Sequence, residues 1–155
     1  MYTAQPGSRL YELEEARRAA LDEAGRLGDL LARREAELQE VNARIDGVTP
    51  YTEPAALGEA LALRGALLQI MPQIDAGRRG RLDEAEALAG QIRNLEQAIQ
   101  REGEGLAEAE RHAEGVPRMA AHLERRRAEY ARKMGDWVGV QPERVPEGGG
   151  GHWPK

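Results

Sequence analysis

The sequence predicts an all-α protein: an elongated antiparallel coiled coil of three helices, with a long kinked central helix and a non-helical C-terminal tail. Three observations carry this. First, apolar residues recur in alternating steps of three and four through most of the chain, the a/d spacing of helices that lie against one another. Second, 32% of the residues are charged and only 4% aromatic, with no Phe, which suits a thin seam better than a thick globular core. Third, Pro and Gly cluster between the periodic runs, where short turns would fold successive helices back antiparallel.

The first helix is predicted over 8–46. Pro6-Gly7 breaks what precedes it, and Ser8 is a good N-cap. Glu12, Glu14 and Glu15 follow where the helix dipole favours anions. The seam runs Leu10, Leu13, Arg17, Ala20, Ala24, Leu27, Leu31, Arg34, Leu38, Val41, Ile45. Asp46-Gly47 supplies the stop, with Gly47 expected as a left-handed C-cap. Val48 to Pro54 then form a turn, and Pro54 fits the first turn of a new helix.

The second helix is predicted over 54–114, with its seam at Leu57, Ala60, Arg64, Leu67, Met71, Ile74, Arg78, Arg81, Ala85, Leu88, Ile92, Leu95, Ile99, Glu102, Leu106, Ala109 and Ala113. The register never slips, which favours one continuous helix over a hairpin broken at residues 77–80. Pro72 should kink it. Gly77 and Gly80 weaken it by about 1 kcal/mol each. Gly115-Val116-Pro117 closes this helix and opens a third over 117–135, with Val116, Ala120, Leu123, Arg127, Tyr130, Met134 and Trp137 on one face and Gly135 as its stop. Residues 1–137 form the helical region. Residues 138–155, with three prolines and the run Gly148 to Gly151, form the tail. Folding the outer helices back onto the central one brings Tyr11 and Trp137 together near Ile92 and Leu95.

Composition narrows function. A net charge of −5 gives no global bias toward nucleic acid or anionic membrane. Cysteine is absent, which removes disulfides and thiolate metal sites. No apolar run approaches the roughly 18 residues of a membrane span, and the N-terminus lacks a signal-peptide pattern. Cytoplasmic synthesis is the expectation, with incorporation into a particle such as a virion. No nucleophile elbow, P-loop or dinucleotide fingerprint occurs. His112 and His122 flank the Pro117 turn and His152 lies in the tail, with no i, i+4 partner. The expectation is therefore no enzyme, no cofactor, no metal and no small-molecule substrate.

Contact residues are better marked. Arg125, Arg126 and Arg127 invite a nucleic-acid reading. However, 118–133 carries a net +4 and 82–114 a net −6, and these are the segments the Pro117 turn brings together. Internal charge pairing is the simpler expectation, and nucleic acid the less favoured partner. Arg17, Arg34, Arg78, Arg81 and Glu102 are polar at seam positions. Their stems are expected to snorkel out to flanking charges. Tyr51 marks the hairpin tip. Trp137, Trp153 and Pro154 mark the tail, since Trp is enriched at interface hot spots.

The leading expectation is a non-enzymatic structural or assembly protein. It would act by helical self-association, as a homo-oligomer or with neighbouring subunits of a larger assembly such as a virion, tail or secretion-type particle. The alternative is an adaptor or export-chaperone-like hairpin that touches a partner machine with its tip. In layout the chain resembles the helical hairpins of flagellar and type III export stalk proteins, a likeness carried by no motif. A third reading is a nucleic-acid-associated protein using the third helix.

Overall fold

A computed structural model describes residues 3–48, 51 and 53–139. It contains helix α1 (Arg9–Gly47), helix α2 (Pro54–Ala113), a 3-10 turn at Pro117–Met119 and helix α3 (Ala120–Trp137). Among the described residues there is no strand, so the protein is all-α.

Local chemistry sets each boundary. Gln5-Pro6-Gly7-Ser8 is a tight turn: the Ser8 N–H donates to the Gln5 carbonyl at 3.0 Å, and Gly7 takes φ +88°. Pro at the second position and a positive-φ glycine at the third are what a type II turn requires. Ser8 then caps α1, accepting the Tyr11 N–H on Oγ at 3.2 Å. The left-handed cap expected at Gly47 does not form. Among the described residues the positive-φ glycines are Gly7, Gly115 and Gly139, and α1 instead tightens through a Val48 N–H to Ile45 carbonyl bond of 3.4 Å. Glycine permits positive φ without demanding it.

Helix α2 runs unbroken through Pro72 and through Gly77 to Gly80. Proline removes one backbone bond, yet Leu67 and Ile74 are buried on either side of it, and Pro72 itself is exposed. Packing of the seam therefore outweighs the local cost, as tertiary burial commonly does for helices. Gly115 at φ +72° turns the chain toward α3. Gly135 does not stop α3. The helix continues to Trp137, where the N–H groups of Val138 and Gly139 both donate to the Met134 carbonyl at 2.8 and 3.0 Å, with Gly139 at φ +98°. Residues 138 and 139, assigned to the tail from sequence, thus complete a helix cap.

The chain divides into two compact units, residues 1–17 with 87–155, and residues 18–86. In the second, Val41 of α1 packs with Ala60 and Leu67 of α2, and Leu38, Ile45 and Met71 close around them. Ala20, Ala24, Ile74 and Ala85 are also buried here. The seam is narrow enough that a Cβ on Gly77 would lie 3.5 Å from Leu27 Cδ1, and one on Gly28 3.5 Å from Arg78 Cδ. Small residues let helix axes approach toward the lower end of the usual ~8–10 Å range.

In the first unit the N-terminal turn meets the end of α3. The Gln5 N–H donates to the Val138 carbonyl at 2.8 Å. A Cβ on Gly139 would lie 2.8 Å from Gln5 Cβ and 3.0 Å from Ser8 Cβ. Ser8, Leu10, Leu13, Met134 and Val138 are all buried in this unit. The segments carrying Tyr11 and Trp137 therefore meet, as the turn positions implied, and both side chains are half-buried.

The predicted seam is covered almost throughout. Arg17 is the one exposed position of eleven in α1, and Arg81 the one of seventeen in α2. In α3, Ala120 and Arg127 are exposed, while Leu123, Tyr130 and Trp137 are half-buried and Met134 buried.

Gly139 is the position where a side chain has no room and the backbone is strained for any L residue. Gly139→Ala should cost on the order of 2 kcal/mol and lower the melting temperature by several degrees. Ser8→Ala should cost about 1 kcal/mol. Circular dichroism melts of the two variants check this; equal melting temperatures for wild type and Gly139→Ala would remove the clasp as a source of stability.

Candidate functional site

The basic face of α3 lies against the acidic part of α2. Arg127 Nε donates to Glu110 Oε2 at 3.1 Å, and Lys133 Nζ to Glu102 Oε2 at 2.9 Å. Lys133 also lies 3.7 Å from Glu129, and Arg132 3.6 Å from Asp136. Arg126 is half-buried, its Nη2 only 3.0 Å from where a Cβ on Gly105 would stand. The Tyr130 hydroxyl stands 3.8 Å from the equivalent point on Gly103. The two mid-helix glycines of α2 therefore leave room for two long side chains of α3. Arg125 is exposed.

Polar seam residues find flanking partners. Arg34 bonds Glu37 at 2.6 Å, Arg78 bonds Asp75 at 2.9 Å and Arg81 bonds Glu84 at 2.9 Å. Glu102, on the same seam, takes Lys133 from across the pair. On the surface of α1 the Arg26 guanidinium, hydrogen-bonded to Glu23, holds that carboxyl below its ordinary value. The pair lies at the surface, its side chains 61% and 33% exposed, and such pairs contribute little.

The structure gathers one constellation that the sequence kept apart. His112 and His122 line a single groove of about 350 Å³ beside Arg126, Glu108, Ala109, Met119 and Gly105. His112 Nε2 is 4.0 Å from Glu108. Among the described residues no cluster of three or more His, Cys, Asp or Glu could hold a metal ion. Likewise, among these residues no helix is long and apolar enough to cross a membrane.

Of the other sequence-predicted contact residues, Tyr51 is 92% exposed at the tip between α1 and α2, and Trp137 is half-buried in the last turn of α3. Trp153 and Pro154 lie outside the described residues.

The sequence reading missed four residues of α2: Leu61 and Leu63, each 41% exposed, Leu68 at 53% and Ile70 at 45%. They flank the buried Leu67 on both sides. The signal was present in the charge pattern. Between residues 55 and 74 only Glu59 and Arg64 carry charge, far below the 32% of the whole chain. One partner helix does not need so broad an apolar arc.

The Lys133–Glu102 pair is about one-quarter exposed on each side, whereas Arg127 and Glu110 are 56% and 43% exposed. Double-mutant cycles should give a coupling of about 1 kcal/mol for the first and no more than about 0.5 kcal/mol for the second. Urea denaturation of the single and double alanine variants measures both, and the reverse order would contradict this account of α2–α3 pairing. Gly103→Ala should raise stability by about 0.5–1 kcal/mol, because the new methyl would stand at an ordinary 3.8 Å from the Tyr130 hydroxyl; Gly105→Ala should gain less, because the Arg126 guanidinium at 3.0 Å must give way.

Compared with models of known protein families, with curated proteins and with solved structures, the chain matches none.

Proposed function

We propose that this is a non-enzymatic structural or assembly protein whose helices pair as antiparallel coiled coils and associate with further copies, or with neighbouring subunits of a larger particle. The observation that carries this reading is the apolar surface left on α2 after its seam is covered. Leu61, Leu63, Leu68 and Ile70 are all more than two-fifths exposed within ten residues. Exposed apolar patches of a few hundred Å² on soluble proteins commonly mark contact surfaces. In the coiled-coil reading the central helix bends at Pro72. A virion, tail or secretion-type assembly, reached after cytoplasmic synthesis, is the setting such a helical protein fits by shape.

An adaptor reading is the alternative, favoured by Tyr51. An aromatic ring 92% exposed at a hairpin tip is a natural anchor for a partner's pocket. The nucleic-acid reading is the weakest, because Arg127 and Lys133 already face carboxylates of α2.

Light scattering coupled to size exclusion tests the leading reading. The full-length protein should run as an oligomer whose mass rises with loading concentration. A constant monomer mass, together with capture by a partner that depends on Tyr51, would transfer the assignment to the adaptor. The tail is tested by deleting 140–155 rather than 138–155, since Val138 and Gly139 belong to the α3 cap. Helical content should be unchanged, and loss of higher-order assembly would assign docking to the tail.

A further inference from the structure

Leu61 and Leu68 are one heptad apart on α2, and so are Gly58 and Gly65. At about 100° per residue, all four fall within about 80° of arc. The centre of that arc lies about 140° around the helix from the buried line of Ala60, Leu67 and Ile74. The four residues are exposed, and a Cβ on either glycine would meet nothing within 4 Å. The stripe carries knobs and gaps in equal number and at equal spacing.

The order of these residues makes the stripe its own complement. About residue 63, Gly58 is disposed symmetrically with Leu68, and Leu61 with Gly65. Pro54 and Pro72 bound the stripe at equal distances on the same line. When a second α2 is laid antiparallel across a two-fold axis at residue 63, each leucine arrives at the level of a partner glycine. Leucines from the two helices then alternate along the contact. A contact of this kind is isologous, each residue meeting on the partner the one that meets it. Glycine at the contact lets the two backbones approach closely.

The other exposed pair, Leu63 and Ile70, has no such match. Glu59 falls within about 40° of both, placing a carboxylate beside that flank, one turn before Leu63. On the leucine-glycine stripe the nearest charge, Arg64, sits at the edge, about 80° from the centre.

We propose that the Leu61–Leu68 stripe of α2 is the homodimer contact of this protein, formed by antiparallel pairing with a second copy about a two-fold axis near residue 63. This rests on the self-association reading above and names its surface. From Gly58 to Leu68 the stripe spans about 15 Å of helix, and so short a contact falls at the low end of specific interfaces. The dimer is accordingly one of micromolar affinity, in exchange with monomer.

Sedimentation equilibrium on the full-length protein and three variants tests the proposal. Wild type should show a monomer–dimer equilibrium with a micromolar dissociation constant. Leu68→Glu should weaken it by roughly 100-fold or more, because the two-fold axis doubles each substitution. Ile70→Glu, on the other flank, should leave it within about threefold. Gly65→Met separates shape from stickiness. It should raise the melting temperature by improving helix propensity, yet weaken the dimer by roughly tenfold or more, because it fills the gap that receives the partner's Leu61. Unchanged association in Leu68→Glu, equal loss in Ile70→Glu, or tighter association in Gly65→Met would overturn this surface while leaving self-assembly standing. Wild type that stays monomeric at about 200 µM, where a micromolar dimer is saturated, would overturn both.

Discussion

The constraint on which the structure depends is that each helix buries one narrow apolar seam, and several of its most buried positions are alanine. Ala20, Ala24, Ala60 and Ala85 are among the most buried residues. Alanine adds little transfer free energy, about 0.8 kcal/mol per CH₂-sized group, so the seam gains stability from length and close approach rather than from large side chains. That is why helices of 39 and 60 residues accompany an almost complete lack of aromatic residues. It is also why α2 tolerates Pro72, since the burial of Leu67 and Ile74 on either side spans the missing backbone bond.

Glycine serves three physical purposes here. At Gly139 the backbone is left-handed and neighbouring side chains close in, so nothing else fits without strain. At Gly103 and Gly105 the backbone is helical, and the missing side chains make room for Tyr130 and Arg126. At Gly58 and Gly65 the space is open, so the fold itself gives no reason for the helix-propensity cost of about 1 kcal/mol each. A cost without return inside the chain directs attention to what lies outside it.

Much of this was legible in the sequence because a 3-4 apolar period has few structural solutions. The three helices begin and end within about three residues of their expected limits, and Ser8 caps as its chemistry suggests. At Gly47 the helix does stop, but without the left-handed turn. Gly135 does not stop α3, because glycine only allows a helix to end and the covered Met134 and Trp137 on either side hold it on. Arg17, Arg81 and Arg127 keep the period yet emerge to solvent, as long charged side chains do when their stems reach past a seam; Ala120, at the start of α3, is exposed as well. The histidine groove was illegible, because spacing along the chain does not say which faces a turn brings together. The exposed flank of α2 lies outside the 3-4 period, which describes one stripe per helix.

Charge and apolar contact divide the work. The cations of α3 that face α2 meet carboxylates at 2.9 and 3.1 Å, and each exposed pair contributes only about 0.2–1 kcal/mol. Their value lies in the choice of partner segment, since a strongly basic and a strongly acidic stretch attract whereas two like-charged ones would repel. The strongest unmet physical demand is then apolar. Leu61 and Leu68 stand in water on a helix whose charge has been thinned to two residues over four turns or more, and covering them is favourable in any salt. Electrostatics aligns the chain with itself, and the hydrophobic effect is the force available for the association proposed above.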